Sequence, residues 1–262
     1  LGSSFVTGQP AKDDQATPTP KVKVFILAGQ SNMEGHGQLR SLDMLGNDPK
    51  HGQLLSLLKD KDGSWASRDD VTISWQAKQP KNGPLTIGWG YGDNEIGPEL
   101  LFGAIMGEHF EEPVLLIKTA WGGKDVYCDF RSPSAGKPTG ADAALLKEQN
   151  SGGQKRDVGH FYRQMISEIR QCLDDIDQVV PGYQGQGYEL AGMAWFQGWN
   201  DFCQWHVRVD EDRIGERLIE NYPSNLAAMF RDVRKDLKAP EMPIVIGEMG
   251  VGGHEMATRA RK

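Results

Sequence analysis

The apolar run from Val22 to Ala28 leads directly into Gly29-Gln30-Ser31-Asn32-Met33. A buried strand that ends in Gly-x-Ser delivers a serine hydroxyl to the carboxyl edge of a parallel sheet, the edge where open α/β folds hold their ligands. A second strand is expected over Pro113 to Thr119, followed by Ala120-Trp121-Gly122-Gly123-Lys124. A third, Leu190 to Phe196, is followed by Gln197-Gly198-Trp199-Asn200-Asp201, and a fourth lies around Ile244 to Gly247. The apolar run inside the second, Val114 to Ile117, suits a strand covered on both faces. Val71 to Ala77 alternates apolar and polar residues and reads as an edge strand or part of an insertion.

Helical spacing fills the gaps. Gly97 to Phe110 opens on Gly-Pro-Glu, a favourable first turn, and carries Leu100, Leu101, Ala104 and Ile105. Phe161, Met165, Ile169, Cys172 and Leu173 form one stripe, and Leu226, Met229, Phe230, Val233 and Leu237 form another. Strands alternating with helices predict an α/β fold. The expectation is a three-layer α/β/α sandwich, flavodoxin-like, with a mostly parallel sheet of about five strands. The stretch from Asp129 to Asp157, rich in Ser, Gly, Pro and Lys, reads as a long surface loop that could cover the site.

At 262 residues the chain fits one sizeable domain. Residues 1–20, rich in Ser, Thr, Pro, Gln and Asp, read as a flexible tail, and 21–262 as the domain. The tail lacks the charged and apolar regions of a signal peptide. It fits the stub left after one was removed, and the chain is read as exported to the periplasm or outside. The segment after the fourth strand shows no core pattern, so the C-terminal end reads as incomplete. A net charge of −7 argues against nucleic acid and anionic membrane surfaces as partners. Apolar runs stay well short of the ~20 residues needed to span a bilayer. The three cysteines, Cys128, Cys172 and Cys203, lack metal-type spacing, so no metal is expected. They allow one disulfide and a thiol, or three thiols.

The chemistry sits in the three segments that follow the first three strands. In a parallel sheet they share one edge. Serine can attack a carbonyl, a glycine offers an unobstructed N–H, and a side-chain amide offers another donor. Ser31 as a plain helix N-cap is the bland alternative. It gains force only if the other two segments lie elsewhere.

This combination resembles the SGNH hydrolases. Within them it is most similar to the carbohydrate acetylesterases of the sialate O-acetylesterase type and carbohydrate esterase family six. The resemblance spans roughly Val22 to Gly250 and rests on Gly29-Gln30-Ser31-Asn32-Met33, Gly122-Gly123 and Trp195-Phe196-Gln197-Gly198. It implies that Ser31 is the nucleophile, with the N–H groups of Ser31 and of Gly122 or Gly123 binding the oxyanion. The third donor stays open. Gly198-Trp199-Asn200-Asp201 matches the SGNH pattern and points to Asn200, whereas the carbohydrate-esterase branch points to Gln197, with Trp199 where that branch usually has glutamate.

The resemblance also implies an Asp-x-x-His pair after the last strand, and the sequence contains none. Of six histidines, only His254 follows the fourth strand. The base is therefore expected at His254 or beyond Lys262. Seven tryptophans invite a sugar platform. Trp121, Trp199 and Gln30 are the expected substrate contacts, and Trp75 suits the core. His36 fits loop structure or a pocket wall, and Asp201 fits a loop brace. The implied activity is removal of O-acetyl groups from xylan-type polysaccharide or sialic acid-type sugars, with no cofactor. A carbohydrate-binding relative without a base, and a short-chain lipid or aryl esterase, are the alternatives. The oligomeric state is not legible.

Overall fold

The structure, a computed structural model, describes residues 19–153, 155–204, 207–208 and 214–249. Most of the expected tail therefore lies outside the described residues, as do Trp205, His206 and His254. Six strands form the central sheet: β1 (Val22–Gly29), β2 (Arg68–Ser74), β3 (Asn82–Leu85), β4 (Val114–Ala120), β5 (Tyr188–Phe196) and β6 (Ile244–Ile246). Their spatial order is β3-β2-β4-β1-β5-β6. Every neighbouring pair is parallel except β2 with β3. The longer helices are α1 (Pro98–His109), α2 (Gly140–Gln149), α3 (His160–Asp174) and α4 (Ile214–Asp236).

Strand alternation sorts the core into two layers. Val22, Val24, Ile26 and Ala28 of β1 face one side and pack with Met165 and Ile169 of α3 and Met229 and Val233 of α4. Phe25 and Leu27 face the other side, with Val71, Ile73 and Leu116, against Phe102 and Met106 of α1. β4 is buried along its whole length, as its continuous apolar run requires. The three-layer α/β/α sandwich expected from sequence is the fold observed. Among the described residues, no helix is long and apolar enough to cross a membrane.

Three expectations are corrected. The sheet has six strands because β3 folds back antiparallel on β2. That pairing also makes β2 an interior strand, not an edge. Its polar alternates, Thr72 and Ser74, are small hydroxyls that are themselves buried, so a covered strand takes on the pattern of a half-exposed one. Finally, Asp129 to Asp157 is not a long surface loop. It contains α2, whose Ala141 and Leu145 pack with Tyr127, Cys128, Ile214 and Leu218. Arg131 and Asp142 form a buried ion pair at 2.7 Å within it. The Ser, Gly and Pro of its flanks mask a ten-residue helix in which all but Gly140 and Asp142 are good helix formers. The three cysteines are all free thiols.

Candidate active site

Strand register brings the three segments together. Gly29 pairs with Ala120 of β4 on one side and Phe196 of β5 on the other. The ladder continues one step further: the Trp121 N–H donates to the Gly29 carbonyl at 3.2 Å, and the Gln30 N–H donates to the Phe196 carbonyl at 3.3 Å. Gly29 is required by this closeness, since a Cβ there would lie 2.3 Å from the Phe196 carbonyl oxygen. The central strand thus ends flush with its neighbours, and all three segments leave the sheet at one level.

Ser31 begins a one-turn helix, Ser31–Glu34. It is not an N-cap, because Gln30 holds that position and makes no side-chain capping bond. Gln30 is fully buried, which corrects its expected place against substrate. Its amide works from behind the serine. Oε1 accepts the N–H groups of Gly198 (3.3 Å) and Asn200 (3.2 Å). Nε2 donates to Ser31 Oγ (3.3 Å) and reaches Asn200 Oδ1 (3.5 Å). One side chain therefore ties the serine segment to the segment after β5. With Gln30 donating to it, the Ser31 oxygen keeps its own proton available for a base.

The same geometry separates Gln197 from Asn200. Gln197 is buried and committed: Nε2 donates to the Lys124 carbonyl (3.0 Å) and to Asp201 (2.7 Å), and Oε1 accepts the Tyr222 hydroxyl (3.1 Å). Asn200 is turned the other way, with Nδ2 3.7 Å from the point a Cβ would occupy on Gly123. Gly122 completes the ring. A Cβ on it would lie 3.9 Å from Ser31 Cβ and only 2.8 Å from Glu34 Oε2, so a larger residue would close the approach. Gly122 thus adjoins Ser31, and Gly123 adjoins Asn200.

Two buried ionisable side chains, Asp201 and Lys118, hold these parts. Asp201 accepts the N–H groups of Val126 (3.0 Å) and Tyr127 (3.2 Å), clamping the segment after β4 to the segment after β5. This is the brace expected of it. Behind it, Arg156 pairs with Asp125 and Asp129, each at 2.7 Å. Burial, reinforced by the charge of Asp125, pushes the Asp201 carboxyl up to about 7. Its folded value thus lies above its unfolded one, so folding favours the protonated form. Stability from this group is present below the unfolded value and is lost as pH rises through the folded one, between about 4 and about 7. Across that window the wild type should lose stability relative to Asp201→Asn, which cannot titrate. Urea unfolding of both chains at several pH values checks this, and a pH-independent difference would refute it.

The other buried charge is Lys118 of β4. Its Nζ donates to the carbonyls of Glu34 (2.8 Å) and Trp89 (2.7 Å) and to Glu99 Oε2 (2.8 Å), and it stands 4.3 Å from the centre of the Trp75 ring. Burial pulls its ammonium below the ordinary lysine value, with Glu99 opposing. A lysine inside an otherwise apolar strand is the signal by which sequence could have found it.

Ser31 opens onto a groove of about 530 Å3, lined also by His36, Phe196, Trp199 and Met249. Trp199 is 42% exposed and lines this groove. Trp121 is half-buried against Phe161 and Phe130, and Trp195 and Trp75 are core residues. A larger cavity of about 770 Å3 lies beside Arg131 and Tyr162, away from the three segments, and the Arg131 guanidinium is occupied by Asp142 and main-chain carbonyls. Among the described residues, no group of three or more His, Cys, Asp or Glu side chains is placed to hold a metal.

This chain is similar to known proteins over nearly its whole length. The probable carbohydrate esterase At4g34215 of Arabidopsis thaliana is 23% identical over 256 residues, 96% of this chain and 78% of the relative. The crystal structure of the Arabidopsis protein superimposes with a TM-score of 0.52 at 17% identity, covering 92% of this chain and 80% of that one. The crystal structure of NanS gives 0.50 at 15% identity, covering 92% and 72%. At these identities the structures speak for the fold. Residues 21–262 match the model of the family described as carbohydrate esterase, sialic acid-specific acetylesterase, and the chain belongs to that family.

Proposed function

We propose that this chain is a serine O-acetylesterase acting on acetylated carbohydrate. The observation that carries the reading is the convergence of Ser31, Gly122-Gly123 and Asn200 at the ends of three adjacent parallel strands. Ser31 Oγ attacks the acetyl carbonyl as a histidine takes its proton. His254 is the candidate within this sequence. The oxyanion is held by the N–H of Ser31, the N–H of Gly122 or Gly123, and Asn200 Nδ2. The sugar hydroxyl leaves, and water then releases acetate from acetyl-Ser31. Gln197 is given a supporting role, since its amide hydrogens already serve Lys124 and Asp201.

The direct test offers the purified chain acetylated xylan and O-acetylated sialic acid, and measures released acetate. The Ser31 peptide is analysed for an acetyl adduct after rapid quenching. Release with a transient adduct supports the reading. Failure to release acetate from any acetylated sugar would overturn it in favour of the binding relative or, if short-chain lipid or aryl esters are cleaved instead, of an esterase with another substrate. The assignment of the third donor has its own test. Asn200→Ala should lower kcat by about 10²–10³ while leaving the unfolding midpoint near that of the wild type. Gln197→Ala should chiefly destabilise, because it strips partners from Asp201, Tyr222 and the Lys124 carbonyl. The opposite pattern would return the oxyanion role to Gln197.

A further inference from the structure

We propose that the Ser31 groove continues into a second sugar subsite formed by the adjoining rings of His36 and Tyr91, and that the substrate is a neutral O-acetylated oligosaccharide or polysaccharide rather than a single acetylated sugar. The inference rests on the esterase reading above and concerns what lies beyond the acetyl group.

His36 lines the groove that holds Ser31, and its side chain is 44% exposed. The Tyr91 ring lies 4.7 Å from it, tilted by 38°, and Tyr91 is 62% exposed. The main chain that carries Tyr91 is held at several points. The Tyr91 N–H donates to the Gly35 carbonyl at 2.9 Å, and Lys78 Nζ donates to the carbonyls of Gly90 (3.1 Å) and Tyr91 (3.3 Å). Glu95 is the shared anchor. Its Oε2 accepts the Gly92 N–H (2.9 Å) and stands 3.3 Å from His36 Nδ1, while Oε1 accepts Gln38 Nε2 (3.2 Å). A two-stranded antiparallel ladder, Gly37–Gln38 with Glu95–Ile96, joins the two sides.

Exposed aromatic rings carried on an anchored main chain lose less freedom when a ligand settles on them than rings on a loose loop would. The C–H face of a sugar ring suits such a surface, and its hydroxyls suit nearby carboxylate acceptors. Trp199 stands in the same groove on a different segment. The groove therefore presents aromatic surface from two chain segments beside Ser31, which fits a chain of sugar rings. Charge selects among such chains. Glu95 lies beside His36 Nδ1, and Glu34 Oε2 lies 3.8 Å from Nε2, so an acidic sugar here would meet two carboxylates.

The experiment compares kcat/KM for acetylated xylo-oligosaccharide with kcat/KM for 4-nitrophenyl acetate, in wild type, Tyr91→Ala and Tyr91→Trp. The ratio should fall roughly tenfold in Tyr91→Ala and recover in Tyr91→Trp. Wild type should also prefer the xylo-oligosaccharide to O-acetylated sialic acid. An unchanged ratio, or preference for the acidic sugar, overturns the proposal. Because the esterase reading could fail by itself, binding of unacetylated xylo-oligosaccharide is measured on Ser31→Ala and on Ser31→Ala with Tyr91→Ala. Weaker binding in the double variant supports the subsite even if no ester is cleaved, and equal or undetectable binding refutes it.

Discussion

Replacing Ser31 by Ala is expected to reduce acetate release to background while leaving the fold intact. The loss should be on the order of 10⁶-fold, the scale seen when serine hydrolases of other folds lose their nucleophile. The fold should tolerate the change because Ser31 contributes little to it. The side chain is half-buried and does not cap its helix. Its hydroxyl accepts from Gln30 Nε2 at 3.3 Å, a long contact within the usual range of about 0.5–1.5 kcal/mol for a neutral hydrogen bond. The serine also governs how other variants combine. Asn200 is proposed to stabilise an oxyanion that forms only after Ser31 attacks. Adding Asn200→Ala to Ser31→Ala should therefore cost nothing further, whereas additive losses would mean that Asn200 acts before the attack. Appreciable turnover in Ser31→Ala would mean that water attacks the ester directly, and the acyl-serine scheme would fall.

The site was legible where chemistry and backbone coincide. Gly29 and Ser31 announce themselves because a buried strand must end where a side chain is to be offered, and the close approach of Phe196 admits only glycine at position 29. The layers were legible for the same reason, since β1 and β4 are apolar on both faces. Register was the missing quantity. Two amides four residues or fewer from one strand end, Gln197 and Asn200, are indistinguishable until the Lys124 carbonyl and Asp201 are seen to occupy the first. Gln30 looked like a substrate contact because it adjoins the serine. Sequence adjacency on a turn says nothing of direction, and this side chain points inward. The helix Gly140–Gln149 was hidden by the composition of its flanks, and the edge strand β3 by its Gly-Pro.

Lys118 supplies the largest expected effect on stability. Lys118→Met should destabilise the chain by about 3–5 kcal/mol, the cost of stranding one member of a buried ion pair. Both partners are 1% exposed or less, so the Glu99 carboxylate would stay in place with no counter-charge and no water. The Glu34 and Trp89 carbonyls would lose their donor as well. Glu99→Gln alone should cost less, because the amide still accepts from the Gly97 N–H and stays uncharged beside Lys118. The double variant, Lys118→Met with Glu99→Gln, removes both charges and should be more stable than Lys118→Met alone. That ordering distinguishes an ion pair from a simple packing defect, for which the two losses would add. Urea unfolding of the four chains measures it. Equal, additive losses would show that the pair matters only as volume. The consequence reaches the site through one bond. Glu34 is the last residue of the turn that begins at Ser31, and its carbonyl accepts from Lys118 Nζ, so the charge buried beneath the sheet edge also anchors the turn that carries the hydroxyl. In Lys118→Met chains kept folded at low temperature, kcat should therefore fall more than KM rises.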